Sequence, residues 1–250
     1  FSTRALRDTY VEGAEIFARN DGVYAVPLLV DPLMMYWNRD LHTTAGFAQP
    51  PETWEQLVNQ HAPQLTIRDN RNTVRQSVVA FGEGDNVRNM LPVLSLLLMQ
   101  SGSQLVQEVE NRYVVALNES PGDGRPPLTA AVEFYGRFAD ASNPLYSWNR
   151  AQPLDRQAFL AGDLALYFGF ASEADVLAER NPNLNFDVTT PPQGEGVTVR
   201  RSYGTMYGLA MPRGGSNISG AFNAALTLAK PVNAAALADK MGVAPLAQAA

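Results

Sequence analysis

Apolar residues follow two patterns along the chain, short continuous runs and longer stretches with helical spacing. The short runs predict strands at residues 23–30, 77–81, 113–117, 164–168, 186–189 and 206–211. The stretches with helical spacing predict helices at residues 3–19, 51–67, 89–101, 128–140, 154–161, 173–179, 221–229 and 234–241. Because strands alternate with helices, the pattern predicts an α/β fold with largely parallel strand pairing.

An Asp-Pro pair separates two neighbouring apolar runs near the start of the chain. The run at 23–30 ends at Asp31-Pro32, which favours a turn. A second apolar and aromatic run occupies residues 33–37, and a Pro-Pro-Glu-Thr-Trp sequence at 50–54 predicts the start of the next helix. The sequence therefore predicts two strand-like runs separated by a turn at Asp31-Pro32.

The bulk composition excludes several classes of protein. With a net charge of −6 and a pI near 5.0, the chain lacks the basic surface that nucleic acid requires. No apolar run is long enough to span a membrane, and no signal peptide begins the chain. Cysteine is absent, which excludes a disulfide framework and a thiolate metal site.

Catalytic motifs are equally scarce. The only histidines, His42 and His61, have no metal-ligand spacing with acidic residues, and phosphate-binding and Gly-x-Ser-x-Gly motifs are missing. The acidic pairs at 108/110 and 173/175 could serve as glycosidase carboxylates. Acidic residues on a solvated helix or loop face are the more common explanation of such pairs. We therefore expect no catalytic residue, no metal and no cofactor.

Residues 23–57 and 143–170 carry the features that relate this chain to a known family. The first segment contains a Val-Pro strand, an aromatic run before Asn38-Arg39-Asp40, an Ala-Gly loop and Pro-Pro-Glu-Thr-Trp. The second segment contains Trp148 and then a Phe-x-x-Gly-x-x-Ala pattern that begins at Phe159. In this order, the features resemble the family 1 extracellular solute-binding proteins, the maltose-binding-protein-like receptors of ABC importers.

The resemblance implies a periplasmic-binding-protein-like type II fold, with two lobes joined by a hinge. It places a partial lobe I at residues 1–30, lobe II at 31–187, and a return into lobe I with a third hinge crossing at 188–250. The opening units of lobe I and the C-terminal helices of the family have no counterpart in this sequence. We therefore expect a fragment in which one lobe is incomplete.

Ligands of the family lie in the cleft between the lobes, and the resemblance implies several contact residues there. Aromatic rings cover the apolar faces of a sugar, and carboxylates and hydroxyls bond its hydroxyl groups. The candidates are Asp31, Tyr36, Trp37, Trp148, Phe170, Ser172, Ser202 and Tyr203. The structural alternatives are a turn for Asp31, the core for Tyr36, Trp37 and Trp148, and a solvated loop for Ser202 and Tyr203.

The expected function is that of an extracytoplasmic receptor, in the periplasm or at the cell surface. It would deliver a small solute, with a carbohydrate favoured, to the transmembrane subunits of an ABC permease by hinge closure. Any membrane association would come from an N-terminal anchor that this sequence lacks. The alternatives are a receptor for a polyamine, a peptide or a metal chelate, and a secreted glycoside hydrolase.

Overall fold

A computed structural model describes residues 2–19, 21–103, 105–110, 112–117, 125–212 and 214–248. The helices are α1 (Thr3–Thr9), α2 (Arg39–Thr44), α3 (Trp54–Gln56), α4 (Ala62–Leu65), α5 (Met90–Gln100), α6 (Pro127–Gly136), α7 (Asp155–Ala161), α8 (Ala174–Arg180), α9 (Ile218–Leu228) and α10 (Pro231–Met241). The strands are β1 (Ala18–Arg19), β2 (Gly22–Val23), β3 (Val26–Asn38), β4 (Ile67–Arg68), β5 (Val74–Val79), β6 (Val106–Val109), β7 (Arg112–Val115), β8 (Leu164–Phe170), β9 (Phe186–Thr189), β10 (Gly204–Leu209) and β11 (Ala244–Pro245). Strands thus alternate with helices, which confirms the predicted α/β class.

The chain divides into two compact units. Unit 1 contains residues 1–32, 170–175 and 204–250, and unit 2 contains residues 33–169 and 176–203. The predicted lobe boundaries at residues 31 and 188 differ from this division, because unit 2 extends to Tyr203 and unit 1 includes the short segment from Phe170 to Asp175. The predicted lobes themselves remain predictions.

Unit 1 packs helices against the first half of β3. Strands β10 and β11 both pair with this half in antiparallel orientation, and Val30 lies opposite Met206 and Ala244. Four alanines of α9 and α10 lie against Val26, Leu28 and Leu29, where their small side chains allow the helices to approach the strand closely. The four are Ala225, Ala229, Ala234 and Ala238. A second apolar cluster joins α1 to the segment after α10.

Unit 2 contains the larger core. Strand β9 pairs with the second half of β3 in antiparallel orientation, β8 lies between β3 and β5, and β5 pairs with β8 in parallel. Helices α5 and α6 contribute apolar side chains to the same core, including Leu96 and Tyr135. The sheet is therefore mixed, and the prediction of largely parallel pairing is wrong because the strands that return to β3 run antiparallel to it.

The Asp31-Pro32 pair does not break the strand. Strand β3 runs without interruption from Val26 to Asn38, and Pro32 lies opposite Gly204 in the ladder with β10. The φ angle of proline suits an extended chain, although proline cannot donate a ladder hydrogen bond. The next amide, that of Leu33, donates to the carbonyl of Tyr203 at 2.8 Å. The crossing expected here is thus a strand that passes from unit 1 into unit 2.

The predicted helix at 51–67 contains a wide turn. Residues Leu57–His61 form a π-type turn between α3 and α4, and the amide of Ala62 donates to the carbonyl of Leu57. Pro63 has no amide hydrogen, so it cannot make the hydrogen bond that would continue a regular helix.

Within the described residues, no helix is both long and apolar enough to cross a membrane.

Candidate functional site

The carboxylate of Asp31 holds the turn that follows β8. Asp31 lies in β3 with 7% of its surface exposed. Its Oδ1 accepts a hydrogen bond from the backbone amide of Ser172 at 3.1 Å, and its Oδ2 accepts one from Ser172 Oγ at 2.6 Å. Asp31 and Ser172, two of the predicted contact residues, thus form one cluster within unit 1, which we call the Asp31–Ser172 node.

The local sequence explains why a carboxylate is needed here. Strand β8 ends at Phe170, and a 3-10 turn at Ala171–Glu173 leads directly into α8. The first amides of a helical segment have no acceptor inside it, so an acceptor from outside satisfies them. Asp31 supplies that acceptor for Ser172, and Glu173 Oε1 accepts from the amide of Phe170 at 3.0 Å.

The node retains hydrogen-bonding capacity for a ligand. An ionised carboxylate has about four acceptor positions, and the hydrogen bonds to Ser172 use two of those on Asp31. Ser172 Oγ donates its proton to Asp31 and keeps its lone pairs as acceptors. The half-buried ring of Phe170 begins the same segment. A carboxylate, a hydroxyl and an aromatic ring are the groups that recognise a polyhydroxylated molecule.

A glycine that is not among the predicted contact residues lies beside the node. Gly242 ends α10 with a left-handed φ of +64°, and a Cβ there would lie 3.5 Å from Ser172 Cα. Glu173 is not among the predicted contact residues either, and the sequence offers it only as half of a possible glycosidase pair. A glycine directly after a helical stretch signals a helix end, but its nearness to Ser172 depends on the tertiary fold.

Ser202 and Tyr203 belong to unit 2. Ser202 is exposed. Its Oγ donates to the carbonyl oxygen of Leu33 at 3.3 Å and also lies 3.4 Å from the carbonyl oxygen of Tyr203. The side chain of Tyr203 packs partly against the core of unit 2. Both residues therefore support the second half of β3, and their role as ligand contacts stays a prediction.

The three other aromatic candidates are buried in unit 2. Tyr36 is fully buried among the rings of Phe159, Tyr167 and Phe186. Trp148 is 1% exposed and donates through Nε1 to Asn86 Oδ1 at 3.0 Å.

Trp37 is 6% exposed, and its ring meets that of His42 edge-on with 5.2 Å between the centroids. A ligand ring needs an open aromatic face for stacking. In this conformation none of Tyr36, Trp37 and Trp148 offers one, so their role as contacts stays a prediction.

The two histidines lie together in the core of unit 2. Their ring centroids are 5.5 Å apart, and Phe47 stacks on His61 at 3.9 Å. His42 Nδ1 donates to the carbonyl of Asn38 at 2.8 Å, while His42 Nε2 and His61 Nδ1 have no partner among the described residues. Within the same residues, no group of three or more His, Cys, Asp or Glu side chains could hold a metal.

Comparison with known proteins places the chain among binding proteins. Residues 8–250 match the model of a family described as bacterial extracellular solute-binding protein. Among solved structures, CpMnBP1 with mannobiose bound has 24% identity and a TM-score of 0.64, with 96% of this chain and 59% of that chain covered.

Two further solved structures are similar to this chain to a comparable degree. UgpB from Mycobacterium tuberculosis, in complex with glycerophosphocholine, has 18% identity and a TM-score of 0.69, with coverages of 95% and 55%. A putative oligosaccharide periplasmic-binding protein from Synechococcus sp. MITs9220 has 21% identity and a TM-score of 0.63, with coverages of 97% and 58%. These similarities confirm the periplasmic-binding-protein-like fold, and the chain spans between 55% and 59% of the length of the three proteins.

Proposed function

We propose that this chain, which belongs to the bacterial extracellular solute-binding protein family, is the ligand-binding part of a receptor that serves an ABC importer. The single observation that carries this proposal is the family match over residues 8–250. The family is extracellular, and we place this receptor in the periplasm or at the cell surface. Its partners would be the solute and the transmembrane subunits of the permease.

A carbohydrate is the solute that we favour. Two of the structures described above are named for a mannobiose complex and for a putative oligosaccharide-binding function. The Asp31–Ser172 node supports the same class, because its remaining acceptor positions suit the hydroxyl groups of a sugar. The half-buried ring of Phe170 would lie against an apolar sugar face.

The receptor would act by binding and hinge closure rather than by catalysis. Closure follows binding only if the ligand interacts more favourably with the closed state than with the open one. In that scheme the Asp31 carboxylate bonds the solute while it keeps the turn at Ser172 in place. The proposal therefore predicts saturable binding of a sugar without turnover.

Isothermal titration calorimetry with mannobiose, longer oligosaccharides and glycerophosphocholine tests the solute class. We expect saturable binding of a carbohydrate and weaker or no binding of glycerophosphocholine. Binding of glycerophosphocholine alone would make the carbohydrate assignment wrong. Chromatography of the recovered sugar should show no hydrolysis, and release of products would overturn the receptor function.

Asp31→Asn tests the node itself. The amide keeps the size of the side chain but replaces one acceptor by a donor, so we expect at least about tenfold weaker carbohydrate binding. Asp8→Asn is the matched control, since it makes the same charge change on an exposed side chain of α1 in unit 1. If both variants bind the sugar like the original protein, Asp31 is not a ligand contact.

A further inference from the structure

An arginine-lined cavity in unit 2 is separate from the Asp31–Ser172 node. It has a volume of about 160 Å³ and is lined by Arg88, Leu154, Asp155, Arg156, Gln157 and Arg180. A cavity needs roughly 10–15 Å³ to hold one water molecule, so this one admits a molecule well above the size of water. All the lining residues belong to unit 2, and the cavity therefore needs no second unit to form.

The charge of the lining is unusual for this chain. The protein as a whole carries an excess of acidic residues, with a net charge of −6. Here three arginines and a single acidic residue line the cavity. Like charges around one space repel one another, and that repulsion is relieved when an anion enters.

The single carboxylate is engaged by the backbone. Asp155 is 2% exposed, its Oδ2 accepts from the amide of Arg88 at 3.0 Å, and its Oδ1 accepts from the amide of Arg156 at 2.7 Å. These bonds fix the backbone from which two of the arginine side chains project. Asp155 therefore positions Arg88 and Arg156 at the cavity.

Two of the arginines have no acceptor of their own. The guanidinium groups of Arg88 and Arg180 make no ion pair and no hydrogen bond with the described residues. Other arginines of unit 2 are paired, for example Arg75 with Asp69 at 2.7 Å and Arg150 with Glu83 at 2.9 Å. Arg88 and Arg180 are both exposed, and unpaired guanidinium groups that line one cavity suit an incoming oxyanion.

We propose that the cavity formed by Arg88, Arg156 and Arg180 binds a tetrahedral oxyanion of the phosphate type. Guanidinium groups are planar forks that bond phosphate oxygens in pairs, and several of them can share one dianion. The ligand is either free phosphate or the phosphate group of a monoester. This site is independent of the proposed carbohydrate function, since it shares no residue with the Asp31–Ser172 node.

Calorimetric titration with inorganic phosphate at low ionic strength is the first test. We expect saturable binding with a Kd of about 1 mM or tighter, weakened by added salt as expected for charged groups. Phenyl phosphate in a second titration distinguishes the two sources: equal or tighter binding indicates a monoester site, and exclusion indicates a site for free phosphate. Absence of saturable phosphate and phenyl phosphate binding would overturn the proposal.

The paired variant Arg88→Gln/Arg180→Gln tests the residues. We expect phosphate affinity to fall at least about tenfold, because each lost guanidinium removes charge-assisted hydrogen bonds. Arg137→Gln is the control for a general charge effect, since it removes a positive charge from an exposed position of unit 2 outside the cavity. Equal weakening in Arg137→Gln would show that binding reflects overall charge, and unchanged binding in the paired variant would reject the site.

Stability measurements separate binding from folding. Without phosphate, the paired variant should melt at the same temperature as the original protein or higher, because repulsion around the cavity is reduced. Phosphate should raise the melting temperature of the original protein and of Arg137→Gln, but not that of the paired variant. If the paired variant does not fold, Arg88→Lys/Arg180→Lys keeps the charges and should still lose affinity through the loss of the paired hydrogen bonds.

Discussion

The buried histidine pair should make unit 2 sensitive to mild acid. His42 is fully buried and His61 is 4% exposed. Burial lowers the pKa of both rings, and the adjacent His42 lowers that of His61 further, to about 4. Each ring is therefore held neutral in the folded state at a pH where the unfolded chain would bind a proton.

The size and sign of the effect follow from linkage. A histidine with a lowered pKa in the folded state contributes stability that is complete above the unfolded pKa of 6.5. That contribution is lost as the pH falls from 6.5 towards about 4. A change in pKa from 6.5 to about 4 corresponds to about 3 kcal/mol for His61. His42 acts in the same direction.

Urea unfolding from about pH 7 down to about pH 4 measures this loss. His61→Phe removes the ionisable group and retains an aromatic ring for the stack with Phe47. We expect the free energy of unfolding to fall about 3 kcal/mol more in the original protein than in this variant over that range. Asp69 does not interfere with this measurement. Its pKa is lowered from 3.8 to about 2, so the stability that its carboxylate contributes is lost only as the pH falls below about 3.8.

The outcome has a clear interpretation because the sequence contains only two histidines. Any histidine titration between about pH 7 and about pH 4 must come from His42 or His61. Parallel pH profiles for the original protein and His61→Phe would refute the inference that His61 is held neutral. An NMR titration of the imidazole protons gives an independent value for each ring.

Two further substitutions test the packing of unit 2. Trp148→Phe leaves Asn86 Oδ1 without its bond to the indole, so we expect the free energy of unfolding to fall by about 1–3 kcal/mol in urea titrations; an unchanged midpoint would show that the bond adds nothing. Gly82→Ala should cost more than about 2 kcal/mol by the same measurement, because φ is +94° and the new Cβ would overlap Ala139; a stable Gly82→Ala protein would contradict this.

The sequence predicted those parts of the fold that depend on local patterns. Strand β8 and helix α7 were expected at 164–168 and 154–161, and they lie at Leu164–Phe170 and Asp155–Ala161. Continuous apolar runs and a closing glycine determine such elements locally. The helix expected at 3–19 was wrong beyond Thr9, where a 3-10 turn at Glu12–Phe17 and the short strand β1 follow.

The aromatic candidates show why burial is harder to predict than secondary structure. Trp148 lies between Ser147 and Asn149, a polar setting that favours an exposed ring. The ring is nevertheless buried, because Asn86, far away in the sequence, supplies the acceptor that its Nε1 group needs inside a core. Polar neighbours in sequence therefore do not establish exposure.

Asp31 shows how one residue can have both the structural and the functional role that sequence reasoning treated as alternatives. The predicted turn is absent, yet the carboxylate is structural, since it anchors Ser172 in a segment 141 residues away along the chain. Two hydrogen bonds leave an ionised carboxylate with acceptor capacity. A carboxylate that is held in one orientation by the turn it supports is also preorganised for a ligand. The structural role of Asp31 therefore strengthens the proposal that it contacts the solute.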